Sequence, residues 1–281
     1  MAEELYRAPL REDLRPFSAL LWQRQIPHRI AEEAGEQVLR LADGRDRERA
    51  AALLARWRSG ELQLRLRRVE TAPAAAALPQ ALRSAPVTVG LIALSVLGFL
   101  LIYLGAPVSW VSALSFNPFT LRGGAPVFAP QDGQYWRLVT PVFLHFGWLH
   151  IVFNSLWCWE LGRRIEQQLG SANLLGLFLV IAVVSNGAQQ QVSPAALFGG
   201  LSGVVYGWLG FGFVAGQLNP LWRAMAPATP IVLFMVGWLL VCILGLVNVL
   251  GFAVANAAHV GGLLAGAALG LLFALRHRAR R

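Results

Sequence analysis

Ser202 and His259 stand in the contexts Gly200-Leu201-Ser202-Gly203 and Ala258-His259-Val260-Gly261-Gly262, each inside an apolar stretch. An ionisable side chain in an apolar segment of membrane length is costly and usually lines a cavity or a reactive site. A hydroxyl with an imidazole in reach is the minimum apparatus of a serine nucleophile and its general base. The chain contains no lysine, so a serine–lysine pair is excluded. Asp132 is the only aspartate beyond residue 46, which excludes an aspartyl pair in the apolar region. His145, His150 and Asn154 form a second polar group, with His150 and Asn154 four residues apart on one helix face. Two such side chains at the depth of Ser202 suit donation to an oxyanion. Plain inter-helix hydrogen bonding is the alternative, and it is the favoured one for His145, placed nearer the interface. A zinc site from His145, His150 and His259 lacks an HExxH motif and a carboxylate at that depth, so no metal or other cofactor is expected.

Glycines set how these residues meet. Gly203 and Gly207 repeat at spacing four, as do Gly262, Gly266 and Gly270. Small-residue faces let two membrane helices approach closely, which would bring the Ser202 hydroxyl within reach of His259. Tyr206, one turn on from Ser202, is expected to stack on the imidazole. The apolar segment 202–218 has 17 residues, about 25 Å of helix against roughly 30 Å of hydrocarbon. Its outer end should lie below the membrane surface, placing Ser202 at a submerged helix N-terminus. The free N–H groups there favour a developing negative charge.

The elements that carry these groups follow from composition. The chain is 56% hydrophobic and 14% charged. Residues 1–84 hold 15 Arg and 12 acidic residues, whereas residues 85–281 hold 9 Arg and 3 acidic residues. So few charges over the larger part exclude an ordinary soluble surface, and the net charge of +9 does not point to nucleic acid. Residues 1–70 read as a small α+β domain, with helices over 16–25 and 45–58, strands over 26–31 and 37–41, and Asp43 as a cap. His28 reads as a surface or packing residue. The Ala/Pro-rich segment 71–85 reads as a linker and 276–281 as a basic tail.

Six apolar spans are expected at 86–105, 146–165, 172–188, 202–218, 228–247 and 253–275. The insert 106–141 is too polar to span, and its aromatic residues suit the interface. Arg163, Arg164, Arg223 and the tail arginines flank one side of the spans, while connectors 185–200 and 248–256 carry no charge. This bias places both termini in the cytoplasm. Arg122 and Arg137 of the insert then fall on the outer side, against the bias. Cys158 and Cys242 read as small buried hydrophobes, and Glu160 as an i,i+4 partner of Arg164.

Trp136-Arg137, the pattern His145-x-x-x-x-His150-x-x-x-Asn154, Gly200-Leu201-Ser202-Gly203 and Ala258-His259-x-x-Gly262-x-x-x-Gly266 together closely resemble the rhomboid intramembrane serine proteases. The resemblance covers about residues 86–275. It implies an all-α, six-helix membrane bundle behind a small cytosolic domain, in a bacterial inner membrane. It also implies Ser202 as nucleophile and His259 as base without an acidic third member. The oxyanion hole would come from His150, Asn154 and the Ser202 N–H, with Tyr206, Gly200, Gly203, Gly262 and His145 in support. Transmembrane protein substrates would enter from the lipid between the second and fifth spans, where Phe153 and Trp157 are candidates for the wall, with lipid-facing anchoring as an equal alternative. Membrane lipids are the other expected partner, and the residues say nothing of oligomeric state. The alternative is a catalytically inactive relative that binds membrane clients, from which a missing serine or histidine would be expected; both are present here.

Overall fold

The computed structural model describes residues 3–62, 80, 82–247 and 254–279. It divides into two compact units, 1–72 and 73–281. Most of the expected linker (71–79 and 81), most of the connector 248–256 and the last two residues of the basic tail lie outside the described residues.

The first unit is a three-stranded antiparallel sheet with two helices. Strands β1 (Glu3–Pro9), β2 (His28–Glu33) and β3 (Glu36–Leu41) lie in the order β1-β3-β2. Helices α1 (Arg15–Gln23) and α2 (Arg47–Arg58) close a core of Phe17, Leu20, Leu21, Ile26, Leu39 and Leu53. The β2–β3 hairpin turns through Ala34 and Gly35, both at positive φ, as a two-residue hairpin requires. Strand β1 has no counterpart in the sequence reading. It is charged and terminal, and it exists only through a distant pairing that sets Glu3 opposite Leu41. Asp43 accepts from the Arg45 N–H and so caps the short 3₁₀ turn before α2, one turn earlier than expected. His28 packs, as read: its Nδ1–H donates to the Ile26 carbonyl and the Ser18 hydroxyl donates to Nε2.

The second unit is helical. It contains α3 (Pro86–Tyr103), the short α4 (Val108–Leu114), α5 (Trp148–Trp157), α6 (Arg163–Leu169), α7 (Ser171–Val192), α8 (Ser202–Leu218), α9 (Thr229–Ile243) and α10 (Asn256–Ala279). Among the described residues, three helices are long and apolar enough to cross a membrane: Pro86–Tyr103, Ser171–Val192 and Asn256–His277, with mean hydropathies of 2.2, 1.7 and 1.9. Helix α8 has 17 residues, as read, and α9 is apolar but only 15 long. The second expected span is not one uniform helix. A π-helical turn over Cys158–Gly162 joins α5 to α6, and the helix runs on through Arg163 and Arg164. The helix continues to Leu169, past the expected end at 165, and the expected ion pair between Arg164 and Glu160 accommodates charge within it. Both cysteines are free and buried.

The insert is more ordered than its polarity suggests. Besides α4 it holds a hairpin of β4 (Phe119–Arg122) and β5 (Ala125–Phe128) turning through Gly123 and Gly124. Arg137 of the insert is buried. It is 4% exposed and donates to the carbonyls of Ser112 and Ser115 and to Gln134. Carbonyls at the end of α4 thus take up a cation where the helix dipole favours one. Asn186 of α7 donates to the Leu138 carbonyl, tying the insert to the helices.

Glu166, which composition alone did not single out, fastens the opposite end. Its carboxylate accepts the Val87 and Thr88 N–H groups that open α3, and the hydroxyls of Thr88 and Ser171. A buried carboxylate is tolerable here because four donors and a helix N-terminus face it.

Helix α8 is surrounded: Trp208 and Phe211 are fully buried, and nearly all its residues down to Gly212 lie inside. Its glycine face meets α10 backbone to backbone. A Cβ on Gly262 would collide with the Gly203 carbonyl, and one on Gly266 with the Gly207 carbonyl. A Cβ on Gly270 would lie 2.8 Å from the Phe211 oxygen. Gly266→Val should therefore cost at least about 1–3 kcal/mol by overpacking. Gly237→Ala, with nothing within 4 Å of the added methyl, should be neutral. Melting temperatures of the purified variants check this, and equal values would contradict the contact.

Candidate active site

Ser202 is the first residue of α8, and its position depends on the loop before it. Gly200 has φ +113° and donates its N–H to the Pro141 carbonyl at 3.1 Å. The conformation favours glycine, and a Cβ there would also strike the His150 imidazole. The Leu201 N–H donates to His145 Nε2 at 3.3 Å, and His145 Nδ1–H donates to the Phe143 carbonyl at 3.1 Å. These two bonds fix the tautomer of His145. The residue is fully buried in the loop before α5 and bonds to loop backbone groups, not between helices as the favoured alternative expects. An imidazole can accept from a loop N–H that no helix or strand would satisfy. The His150 ring packs 4.8 Å from that of His145.

His259 comes from the first turn of α10. Its Nε2 lies 2.8 Å from Ser202 Oγ. With the hydroxyl donating, Nε2 is the acceptor and Nδ1 carries the proton. That Nδ1 is buried and has no partner among the described residues. Tyr206 lies with its ring 4.8 Å from the imidazole at an interplanar angle of 36°, and its hydroxyl donates to the Met235 carbonyl of α9 at 2.8 Å. The start of α10 is held by residues the sequence reading missed. Gln189 Oε1 accepts the Ala258 N–H at 3.3 Å, and Asn256 Nδ2 donates to the Cys242 carbonyl at 3.0 Å. Ser185, Asn186 and Gln189 are buried polar residues in the otherwise apolar α7. That pattern, in a span, is the signal that could have found them. Gly203 sits against both neighbours, since a Cβ on it would lie 2.8 Å from Ser185 Oγ and 3.2 Å from the Ala258 carbonyl.

His150 and Asn154 occupy α5, and Asn154 is buried. Its Nδ2 donates to the His150 carbonyl one turn back at 2.9 Å, which leaves the second amide hydrogen available. Trp157 meets Phe234 of α9 at a ring distance of 5.7 Å, while Phe153 is exposed. Among the described residues no group of three or more His, Cys, Asp or Glu is arranged to hold a metal ion. A hydroxyl aimed at a neutral imidazole, beside the unsatisfied N–H groups of a helix start, can add to a carbonyl and stabilise the resulting oxyanion.

Comparison with known proteins agrees with this chemistry. A family model described as the rhomboid domain matches residues 132–276, and one described as the rhomboid N-terminal domain matches residues 1–68. The protein named rhomboid protease GlpG of Serratia proteamaculans is 41% identical over 205 residues, 71% of this chain and 67% of the relative. Proteins of the same name from Yersinia pestis and Yersinia pseudotuberculosis are 38% identical over 189 residues, 66% of this chain and 63% of each relative. The match thus spans about two thirds of the relatives' length.

His145→Ala would leave the buried Leu201 N–H without an acceptor, at a cost of about 1–3 kcal/mol. The expected result is a lower melting temperature and slower acylation of Ser202 by a fluorophosphonate. His145→Gln, which keeps an acceptor, should recover part of both. Wild-type values for both in His145→Ala would remove this histidine from the support of the loop.

Proposed function

The chain belongs to the rhomboid family of intramembrane serine proteases, and on that premise we propose that it cleaves membrane-anchored proteins with Ser202 as nucleophile and His259 as general base. The observation that carries the reading is the 2.8 Å contact between Ser202 Oγ and His259 Nε2 at a helix N-terminus. As Oγ adds to the scissile carbonyl, Nε2 takes its proton and then returns it to the leaving amine. Water, deprotonated by the same nitrogen, hydrolyses the acyl-enzyme. No carboxylate touches Nδ1 among the described residues, so the imidazolium formed in each step depends on the Tyr206 ring face and on the oxyanion beside it. The Ser202 N–H and the free amide hydrogen of Asn154 are the proposed donors to that oxyanion, with His150 beside them.

Six membrane crossings are proposed, made by α3, the run from α5 through α6, α7, α8, α9 and α10. Support for the shorter ones comes from their apolar composition and from the burial of α8 within the bundle. The distribution of arginine supports cytoplasmic termini in a bacterial inner membrane, with the serine opening toward the outer side. Lateral entry of substrate between α5 and α9 is supported by the Trp157–Phe234 contact, a single aromatic pair between those helices. Gly200, Gly203 and Gly262 are proposed as supporting residues because each admits a neighbour that a side chain would displace.

Ser202→Ala and His259→Ala are each expected to abolish cleavage of a reconstituted transmembrane substrate while leaving the melting temperature near that of the native protein. Because the two residues act as a unit, the double variant should be no slower than either single one. Substantial turnover by Ser202→Ala would sink the assignment.

A further inference from the structure

The insert contains a cleft of about 580 Å³ between α4 and the β4–β5 hairpin, apart from the serine and histidine. That size falls in the roughly 300–1,000 Å³ range of small-molecule sites. Phe119, Leu121, Val127 and Phe128 give it apolar walls. Leu121 is 49% and Val127 44% exposed, so the walls continue onto an open apolar surface. Two cations line it and no acidic residue does: Arg122 on the hairpin and the buried Arg137 beneath. Among the described residues Arg122 makes no ion pair. The Nε and Nη1 of Arg137 are engaged, whereas its Nη2 makes no hydrogen bond among the described residues.

Trp110, Tyr135 and Trp136 of the same insert are exposed, and the Trp136 indole N–H donates to the carbonyl of Ala113 in the cleft wall. Such amphipathic aromatics favour the headgroup level of a bilayer. A lined cleft at that level has chains on one side and phosphates on the other. We propose that it binds one anionic phospholipid, an acyl chain lying against Leu121, Val127 and the two phenylalanines and the phosphate drawn to Arg122 and Arg137. Arg122 suits that phosphate because its planar fork pairs with two oxygens at once, while Arg137 offers its Nη2. A bare phosphate would leave the apolar walls uncovered, and an uncharged lipid would leave the arginines without a counter-charge. Occupancy would brace the hairpin against α4, whose C-terminal carbonyls Arg137 already gathers.

Native mass spectrometry of the full-length protein in detergent tests this, with phosphatidylglycerol and phosphatidylcholine of identical chains added in turn. The readout is binding and does not depend on proteolysis, so it is independent of the catalytic assignment. Native protein should retain phosphatidylglycerol at least about fivefold better than phosphatidylcholine, the preference expected when a surface arginine meets an anionic lipid. Arg122→Glu should abolish the preference, and Val127→Trp, which fills the cleft, should reduce retention of both lipids. Both substitutions lie on the exposed hairpin, and unchanged melting temperatures without lipid verify folding. Equal retention of the two lipids by the native protein would overturn the proposal. So would a phosphatidylglycerol preference that survives in both variants, because the lipid would then be held elsewhere.

Discussion

The close approach of α8 and α10 is the constraint on which the rest of the second unit depends. Apolar burial does little to hold helices together in lipid, because the tails are as apolar as the side chains. What remains is dispersion between closely packed atoms and a few hydrogen bonds. Gly203, Gly207, Gly262 and Gly266 remove the side chains that would keep the backbones apart. The same contact sets Ser202 against His259, with Nε2 2.8 Å from Oγ. Stability and the geometry of the Ser202–His259 pair therefore depend on the same four glycines.

Around this seam, single polar groups fasten elements that apolar packing would leave free to slide. Glu166 holds the start of α3 beside the junction of α6 and α7, and Gln189 holds the start of α10 to α7. Arg137 collects the end of α4, and His145 accepts from the loop that delivers the serine. A buried polar group without a partner costs about 1–3 kcal/mol. Each of these bonds therefore penalises displacement of its element. Tyr206 has two duties, since its ring faces His259 while its hydroxyl is tied to α9. A movement of α9 would thus be felt at the imidazole, in the helix that also meets Trp157 of α5.

The features legible in the sequence are those written as local pattern. The glycine spacing foretells the α8–α10 contact, the 17-residue segment appears as a helix with the same bounds, and the nearness of Tyr206 to His259 follows from one helical turn, although the rings tilt by 36° and do not stack. Features made by distant pairing are not legible in that way. Strand β1 needs β3, Arg137 needs the carbonyls of α4, and Glu166 needs the N-terminus of α3, 78 residues away for Thr88. His145 reads as a residue near the membrane interface because its apolar neighbours continue the span. Its bond from the Leu201 N–H comes from a loop 56 residues further on. The π-helical turn at Cys158–Gly162 leaves no mark in hydropathy, since it changes backbone bonding and not side-chain character.

The central claim is that the glycine seam sets the serine–histidine geometry. It is tested most directly at Gly262, where an added methyl meets the Gly203 carbonyl one residue past Ser202. The measurement is the rate at which a fluorophosphonate acylates Ser202 in Gly262→Ala, normalised to the folded fraction of each preparation. Displacement of a reacting group by about 1 Å can cost on the order of 10²-fold in rate. The account predicts a fall of that order in protein that still melts cooperatively. Acylation of folded Gly262→Ala at the native rate would contradict it.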